Sequence, residues 1–192
     1  MKIGIVSDIH AHPLALRRTL EAMPSVDKVL CAGDVISDYR YCAETVDILQ
    51  RAQVHCIQGN HETSFFGGRN PDYLRKCQQE FAPDLLDFLA LAPLSLEFEA
   101  AGAKVLMVHA SPWEPFDQYI YPHSPQLGHF AQLPYDFVIF GHTHIPLVHR
   151  ADSVTVINPG SCSQPCDHDR RGSYAILDLE NRVVKLHRVL VY

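Results

Sequence analysis

From Lys2 to Asn60 the chain alternates between two hydrophobic periods. Lys2–Val6 is β-rich, Lys28–Cys31 is a short apolar run, and Val54–Ile57 is a third strand-like segment. Between the first two, Pro13 suits the first turn of a helix carried by Leu14, Leu16, Leu20 and Met23. Between the second and third, Tyr41–Arg51 places Val46 and Leu49 on a helical face. This β-α-β-α-β order predicts an α/β domain built on a central sheet, and in such sheets ligands gather beyond the carboxyl ends of the strands. Each of the three segments runs into polar residues there: Ser7-Asp8-Ile9-His10, Gly33-Asp34 and Gly59-Asn60-His61.

The remainder is helical, then strand-rich. Pro71–Leu91 predicts one or two helices with Leu85, Leu86, Phe88, Leu89 and Leu91 as their apolar face. Ser95–Glu99 and Lys104–Val108 read as strands joined by a turn at Ala101-Gly102, and residues 110–134, rich in proline and aromatics, as a partly irregular cap. Phe137–Phe140, Leu147–Arg150, Val154–Ile157, Tyr174–Asp178 and Arg182–Val191 are five further strands, which predicts a second sheet packed on the first. A length of 192 residues fits one domain over residues 1–192, large enough to bury roughly 70% of its unfolded surface.

Charge and composition exclude several roles. The formal net charge of −6 supplies no basic field for non-specific nucleic-acid binding. Met1 leads directly into Lys-Ile-Gly-Ile-Val without an apolar run of signal or membrane length, so a cytoplasmic protein with no membrane partner is expected. The six scattered cysteines are expected to be free thiols, and Cys162-x-x-x-Cys166 with His168 is not read as a zinc site.

Histidine is the unusual count, at twelve. Seven follow no pattern. The other five stand at strand ends: His10, His61, His109, and His142 with His144 in Phe-Val-Ile-Phe-Gly-His-Thr-His. With Asp8, Asp34 and Asn60 they form a set of imidazole, carboxylate and carboxamide groups, without thiolate, which suits borderline divalent metals. Such a set exceeds what one ion requires, and two ions sharing a carboxylate would use seven of its eight members. The alternate spacing in Asp8-x-His10 and His142-x-His144 turns both members of each pair to one side of an extended segment. Gly33, Gly59 and Gly141 permit close backbone approach just ahead of the ligands.

Taken together, Asp8-Ile-His10, Gly33-Asp34, Gly59-Asn60-His61-Glu62, His109 and Gly141-His142-Thr143-His144 resemble the calcineurin-like metallophosphoesterase superfamily over nearly the whole chain. His109-Ala-Ser-Pro and Asn158-Pro-Gly-Ser are similar to segments of its small bacterial and archaeal members. The resemblance implies a four-layered α/β/β/α sandwich with two packed mixed sheets. It implies one metal on Asp8, His10, Asp34 and His144 and a second on Asp34, Asn60, His109 and His142, with Asp34 as the bridge. His61 matches the catalytic histidine, which is not a ligand. Manganese is the first expectation for the two divalent ions, with iron, zinc, nickel and cobalt as alternatives. The implied activity is hydrolysis of a phosphodiester or phosphomonoester by in-line attack of a metal-bridging hydroxide, on a small phosphorylated substrate with nucleotides among the candidates.

The chain departs from the family pattern in two places. Ala110 follows His109 where glycine is commoner, and Val-Ile-Ser-Asp-Tyr-Arg follows Asp34 in place of the Asp-Arg-Gly of the protein phosphatases. A protein phosphatase, a symmetrical dinucleoside polyphosphate hydrolase and a non-catalytic metal-binding scaffold are the alternatives, and a general acid at His61 argues against the last. Asp38 and Glu62 are expected to be solvated loop carboxylates, with orientation of His61 as the competing role. Trp113, Tyr119, Tyr121 and His123 are expected to pack the cap onto the domain in preference to stacking on a base. For Arg170 and Arg171 a phosphate contact and a surface ion pair remain open.

Overall fold

The computed structural model describes residues 1–191 and comprises two five-stranded mixed sheets packed face to face. The first has the order β10(Val183–Val189)-β9(Gly172–Asp178)-β1(Lys2–Val6)-β2(Lys28–Cys31)-β3(His55–Cys56). The second has the order β4(Ser95–Ala100)-β5(Ala103–Val108)-β6(Phe137–Ile139)-β8(Val154–Asn158)-β7(Leu147–Ala151). The expected alternation is obeyed strand by strand. Ile3 and Ile5 of β1, Val105 and Met107 of β5, Phe137 and Ile139 of β6, and Ala175 and Leu177 of β9 all turn inward into one buried cluster between the sheets. Each large side chain in it contributes on the order of 1.5–3 kcal/mol of apolar burial.

The residues between these positions face outward into two further cores. On the first sheet, Val6, Cys31 and Tyr174 meet Leu16 of α1(Pro13–Ala22), Val46 and Leu49 of α2(Ala43–Arg51), and Leu86 and Leu89 of α5(Pro83–Ala90). On the second sheet, Leu106, Val138, Phe140 and Val156 meet Ile120, Leu127 and Phe130. Leu127 and Phe130 belong to a 3₁₀ helix at Pro125–Gln132, so the fourth layer is thinner than the α-helical first.

Strand direction explains where the site forms. β1, β2 and β3 are mutually parallel, as are β5, β6 and β8, while β9, β10, β4 and β7 run antiparallel to their neighbours. Each polar cluster singled out in the sequence follows a member of the parallel sets, so all emerge at the carboxyl edge of their sheet. Among the described residues no helix is long and apolar enough to cross a membrane.

One element was not expected. Asn60–Phe66 forms a short helix, α3, ahead of α4(Pro71–Glu80). Its signal was Gly59-x-x-Glu62, in which the Glu62 carboxylate accepts the backbone N–H of Gly59 at 2.7 Å and closes the first turn. The second half of the chain follows the expected strands to within two residues at each end, including the turn at Ala101-Gly102 and the hairpin through Glu180-Asn181.

Candidate metal centre

The five clusters converge, and their imidazole nitrogens and carboxylate oxygens crowd one another where they meet, although the backbone N–H of His142 reaches the Asp8 carboxylate. His144 donates Nδ1–H to the Gln164 carbonyl oxygen at 2.8 Å, which leaves Nε2 as a bare lone pair. That Nε2 lies 3.0 Å from Nε2 of His10 and 3.5 Å from Oδ1 of Asp8. His109 donates Nδ1–H to the Ala32 carbonyl oxygen at 2.7 Å, and its Nε2 faces Oδ2 of Asp34 at 3.2 Å and Oδ1 of Asn60 at 3.0 Å. The backbone of Asp117 holds His142, and its buried Nε2 has no hydrogen-bond partner.

The His144 lone pair faces the Asp8 carboxylate, and two such acceptors repel unless something positive sits between them. Asp8, His10 and His144 offer ligand atoms within 4.8 Å of one another, and so do Asp34, His109 and His142. The donor set therefore fits divalent cations: hard oxygen and borderline nitrogen, converging, with the second ring nitrogens of His109 and His144 fixed by carbonyls. Asp34 stands nearest to both groups, 3.9 Å from His10 and 3.2 Å from His109.

Titration behaviour follows from burial and charge. Burial pushes the Asp8 carboxyl up to about 6, and it pushes His10 and His142 down to about 4, so both rings are neutral at ordinary pH. His109 is opposed by burial, but the Asp34 carboxylate outweighs this and moves it up to about 10. That position favours a positive charge. Asp34 resists burial in the same way, and the neighbouring His109, His61 and His10 hold it well below the usual carboxylate range.

The local backbone is fixed by close approach. A Cβ on Gly59 would strike the Asp34 carboxylate, and one on Gly141 would strike the Ser7 hydroxyl and crowd the Asp8 carboxylate, so glycine is required at both. Asp8, His10, Asp34, His142 and His144 all adopt left-handed φ values, between 49° and 67°. Such strain persists only where the surroundings over-determine it.

Two sets of braces do this, and sequence reasoning assigned neither its role. Glu62 is fully buried, where a solvated loop carboxylate was expected. It accepts backbone N–H groups from Asp34 at 2.9 Å, Ile36 at 2.9 Å and Gly59 at 2.7 Å, tying the Asp34 loop to the start of α3. Burial first, and then the Asp34 charge, pushes its carboxyl up to about 7, against the pull of those donors. Second, the carboxyl end of β8 carries Asn158–Ser163. Asn158 donates to the Gly141 carbonyl at 2.7 Å, Ser161 to the Asp8 carbonyl at 2.6 Å, and Ser163 to the Ile9 carbonyl at 2.9 Å. The Asn-Pro-Gly-Ser segment was visible in the sequence, and its position after a sixth parallel strand is the clue to its work.

His61 stands beside this cluster on the first turn of α3. Its backbone N–H donates to Oδ1 of Asp34 at 3.0 Å, its Nε2 lies 3.9 Å from Oδ2 of Asp34, and its ring packs edge-on against His10. Nδ1 lies 2.9 Å from Oδ1 of Asp38 and 3.1 Å from the Asp38 backbone nitrogen. Asp38 therefore orients the ring, and Arg69 reaches the other carboxylate oxygen at 3.3 Å. The expectation of a solvated Asp38 is corrected by this pair.

The remaining candidates separate. Trp113 packs on Phe130 and His129 as expected of a cap residue. Tyr119 and Tyr121 instead stay 54% and 46% exposed, with the Tyr119 ring 3.9 Å from that of His142. Arg171 pairs with Asp169, which favours the surface ion pair. Cys162 is buried, with its thiol pushed up by burial, and Cys166 is exposed.

A family model described as the calcineurin-like phosphoesterase superfamily domain matches residues 1–182. The chain is 28% identical over 164 residues to a phosphodiesterase of Methanocaldococcus jannaschii, covering 84% of each chain. It is 34% identical over 125 residues to a symmetrical bis(5'-nucleosyl)-tetraphosphatase of Paracidovorax citrulli, over 57% of this chain and 44% of the relative. Among solved structures, a metallophosphoesterase from Sphaerobacter thermophilus superposes with a TM-score of 0.81 at 28% identity, over 98% of this chain and 88% of that one.

Proposed function

The chain belongs to the calcineurin-like phosphoesterase superfamily and is a phosphoric ester hydrolase, and we propose that it cleaves phosphate esters at a binuclear centre. Asp8, His10, Asp34 and His144 would hold one divalent ion, and Asp34, Asn60, His109 and His142 the other. The observation that carries this reading is the convergence of buried nitrogens: Nε2 of His10 lies 3.0 Å from Nε2 of His144, and Nε2 of His142 is buried without a hydrogen-bond partner. Manganese, when bound as a pair, would supply Lewis acidity at the phosphoryl oxygens and an activated water.

The chain's own residues do the rest. Carbonyls of Ala32 and Gln164 hold His109 and His144 in the tautomer that points Nε2 inward. The buried Asp8 and Asp34 keep negative charge at the centre in water-poor surroundings, where its pull on a cation is strong. Protonated on both ring nitrogens, His61 would donate Nδ1–H to Asp38 and give its Nε2 proton to the departing ester oxygen. A module that merely held metals would gain nothing from a second histidine aligned by its own carboxylate, and this favours turnover over a scaffold role.

Metal analysis of wild type and Asp34→Ala tests the assignment. Saturating manganese should load two ions per chain in the wild type, and the variant should lose both, because it removes the shared carboxylate. A wild type that takes up no more than one ion refutes the binuclear reading.

A further inference from the structure

The 3₁₀ helix that forms the fourth layer packs chiefly over β7 and β8, and part of the outer face of β4 and β5 stays open. A cleft of about 820 Å³ opens on the uncovered outer face, well within the size of small-molecule sites. Its inner end is the metal centre itself, at Asn60, His109 and His142. We propose that this cleft receives the retained ester arm of a phosphodiester, and that the arm is an uncharged, largely apolar group carrying no further phosphate.

Three observations support this, all resting on the phosphoesterase reading of the site. First, the walls are apolar: Leu94, Leu106, Val108, Leu133 and Pro134. Second, no lysine or arginine is among the described residues that line the cleft, while Glu97 and Asp117 both do. Glu97 is further fixed there by a side-chain hydrogen bond with Tyr135. Away from the metal centre, a polyphosphate arm would enter a space holding two carboxylates and no lysine or arginine, and carboxylate–phosphate repulsion in a partly desolvated cleft is unfavourable. The partial likeness to a symmetrical tetraphosphatase therefore does not extend to its substrate. Third, His61 is absent from the cleft lining and stands on the other flank, beside His10, Asp38 and Arg69. The centre thus has two flanks, one with a proton donor for a leaving arm and one with room for an arm that stays. A monoester would leave the second flank empty.

Steady-state kinetics of the manganese-loaded protein decide the matter. Two diesters share p-nitrophenolate as the leaving group and differ in the retained arm, naphthyl in one and methyl in the other. The wild type should favour the naphthyl ester in kcat/KM by at least about tenfold, from apolar burial in the cleft. Ser95 is exposed on β4 directly across from Val108, and an indole there would fill the cleft without entering a core. Ser95→Trp should lower the naphthyl-to-methyl ratio by about the same factor. A second pair, thymidine 5'-(p-nitrophenyl phosphate) with and without a 3'-phosphate, tests charge. The wild type should discriminate against the 3'-phosphate, and Glu97→Lys should narrow that difference. The corresponding phosphonates, which are not hydrolysed, should bind in the same order by calorimetry. Turnover that ignores the arm, or a ratio untouched by Ser95→Trp, overturns the cleft assignment while leaving the phosphoesterase reading intact. No manganese-dependent turnover of any of these esters overturns both.

Discussion

Glu62 ties two of the site's loops together through three buried backbone donors, and its removal has a cost that can be worked out from them. In Glu62→Ala the N–H groups of Asp34, Ile36 and Gly59 lose their acceptor in a fully buried place. Each unsatisfied buried donor costs about 1–3 kcal/mol. Water entering the vacated space would recover part of that, so the expected loss is roughly 3–6 kcal/mol, a large share of a typical stability of about 5–15 kcal/mol. For a chain of this length that is a fall of about 6–24 °C in Tm. Glu62→Gln keeps one acceptor oxygen but turns an amino group towards at least one N–H. It should lose about 1–3 kcal/mol, the cost of a single unsatisfied donor. Urea unfolding of the three proteins, with m compared to exclude a change in the unfolded state, gives the free energies. Metal titration of the same samples reads the second consequence, since Asp34 and Asn60 sit on the two loops that Glu62 joins, and affinity should fall in the same order. The reasoning fails if Glu62→Ala unfolds within about 1 kcal/mol of the wild type, the lower bound for one orphaned donor.

Two predictions concern the leaving group. His61→Ala should slow hydrolysis of alkyl or nucleoside esters by about 10²–10⁴ in kcat while slowing nitrophenyl esters far less, because nitrophenolate departs without a proton; an equal loss on both, with metal retained, would assign His61 to binding a phosphoryl oxygen. Asp38→Ala should show the same leaving-group pattern at smaller size, because the ring keeps its place beside His10 and loses only its orienting carboxylate; a uniform loss across both ester types would reduce Asp38 to a structural contact.

Much of this was legible from the sequence, for an identifiable reason. Short, continuous apolar runs such as Phe137–Phe140 leading into Gly141-His142 report both a buried strand and the chemistry at its end. Ligand-type residues stand within a few positions of a strand terminus, so a local motif suffices to find them. What escaped are residues whose roles lie across the chain. Glu62 looks like any helix-turn glutamate until β2 and β3 lie side by side, and then its neighbours are the backbone of Asp34 and Ile36. Asp38 meets His61 across 23 positions, and Ser161 meets Asp8 across 153, distances over which no periodicity carries information. The exposed Tyr119 was misjudged because aromatic content indicates burial on average, and a thin fourth layer leaves fewer places to bury it.

The strained backbone and the facing lone pairs belong to one energetic account. Five non-glycine residues of the centre hold left-handed φ values, each disfavoured by about 1–2 kcal/mol relative to ordinary conformations. The His144 lone pair facing the Asp8 carboxylate and the unpartnered Nε2 of His142 add electrostatic cost in the absence of a cation. Glu62, Asn158 and Ser161 hold these loops in place from behind, so the ligands stay positioned and the cost is not relaxed by local rearrangement. Cations that bind the folded chain and not the unfolded one offset it. At manganese a hundredfold above Kd a single site contributes about 2.7 kcal/mol, equivalent to about 5–11 °C in Tm for a protein of this size. Chelation of the loaded protein should therefore lower Tm by at least that amount, and by more where both ions bind tightly. Asp34→Ala should melt at one temperature with or without chelator, because its cation sites are already lost. Calorimetric melting of wild type and variant, each with excess manganese and with excess chelator, makes the comparison. A wild type that melts at the same temperature in both conditions would mean that the inward-facing nitrogens are satisfied by protons alone, and the cation account of this centre would be wrong.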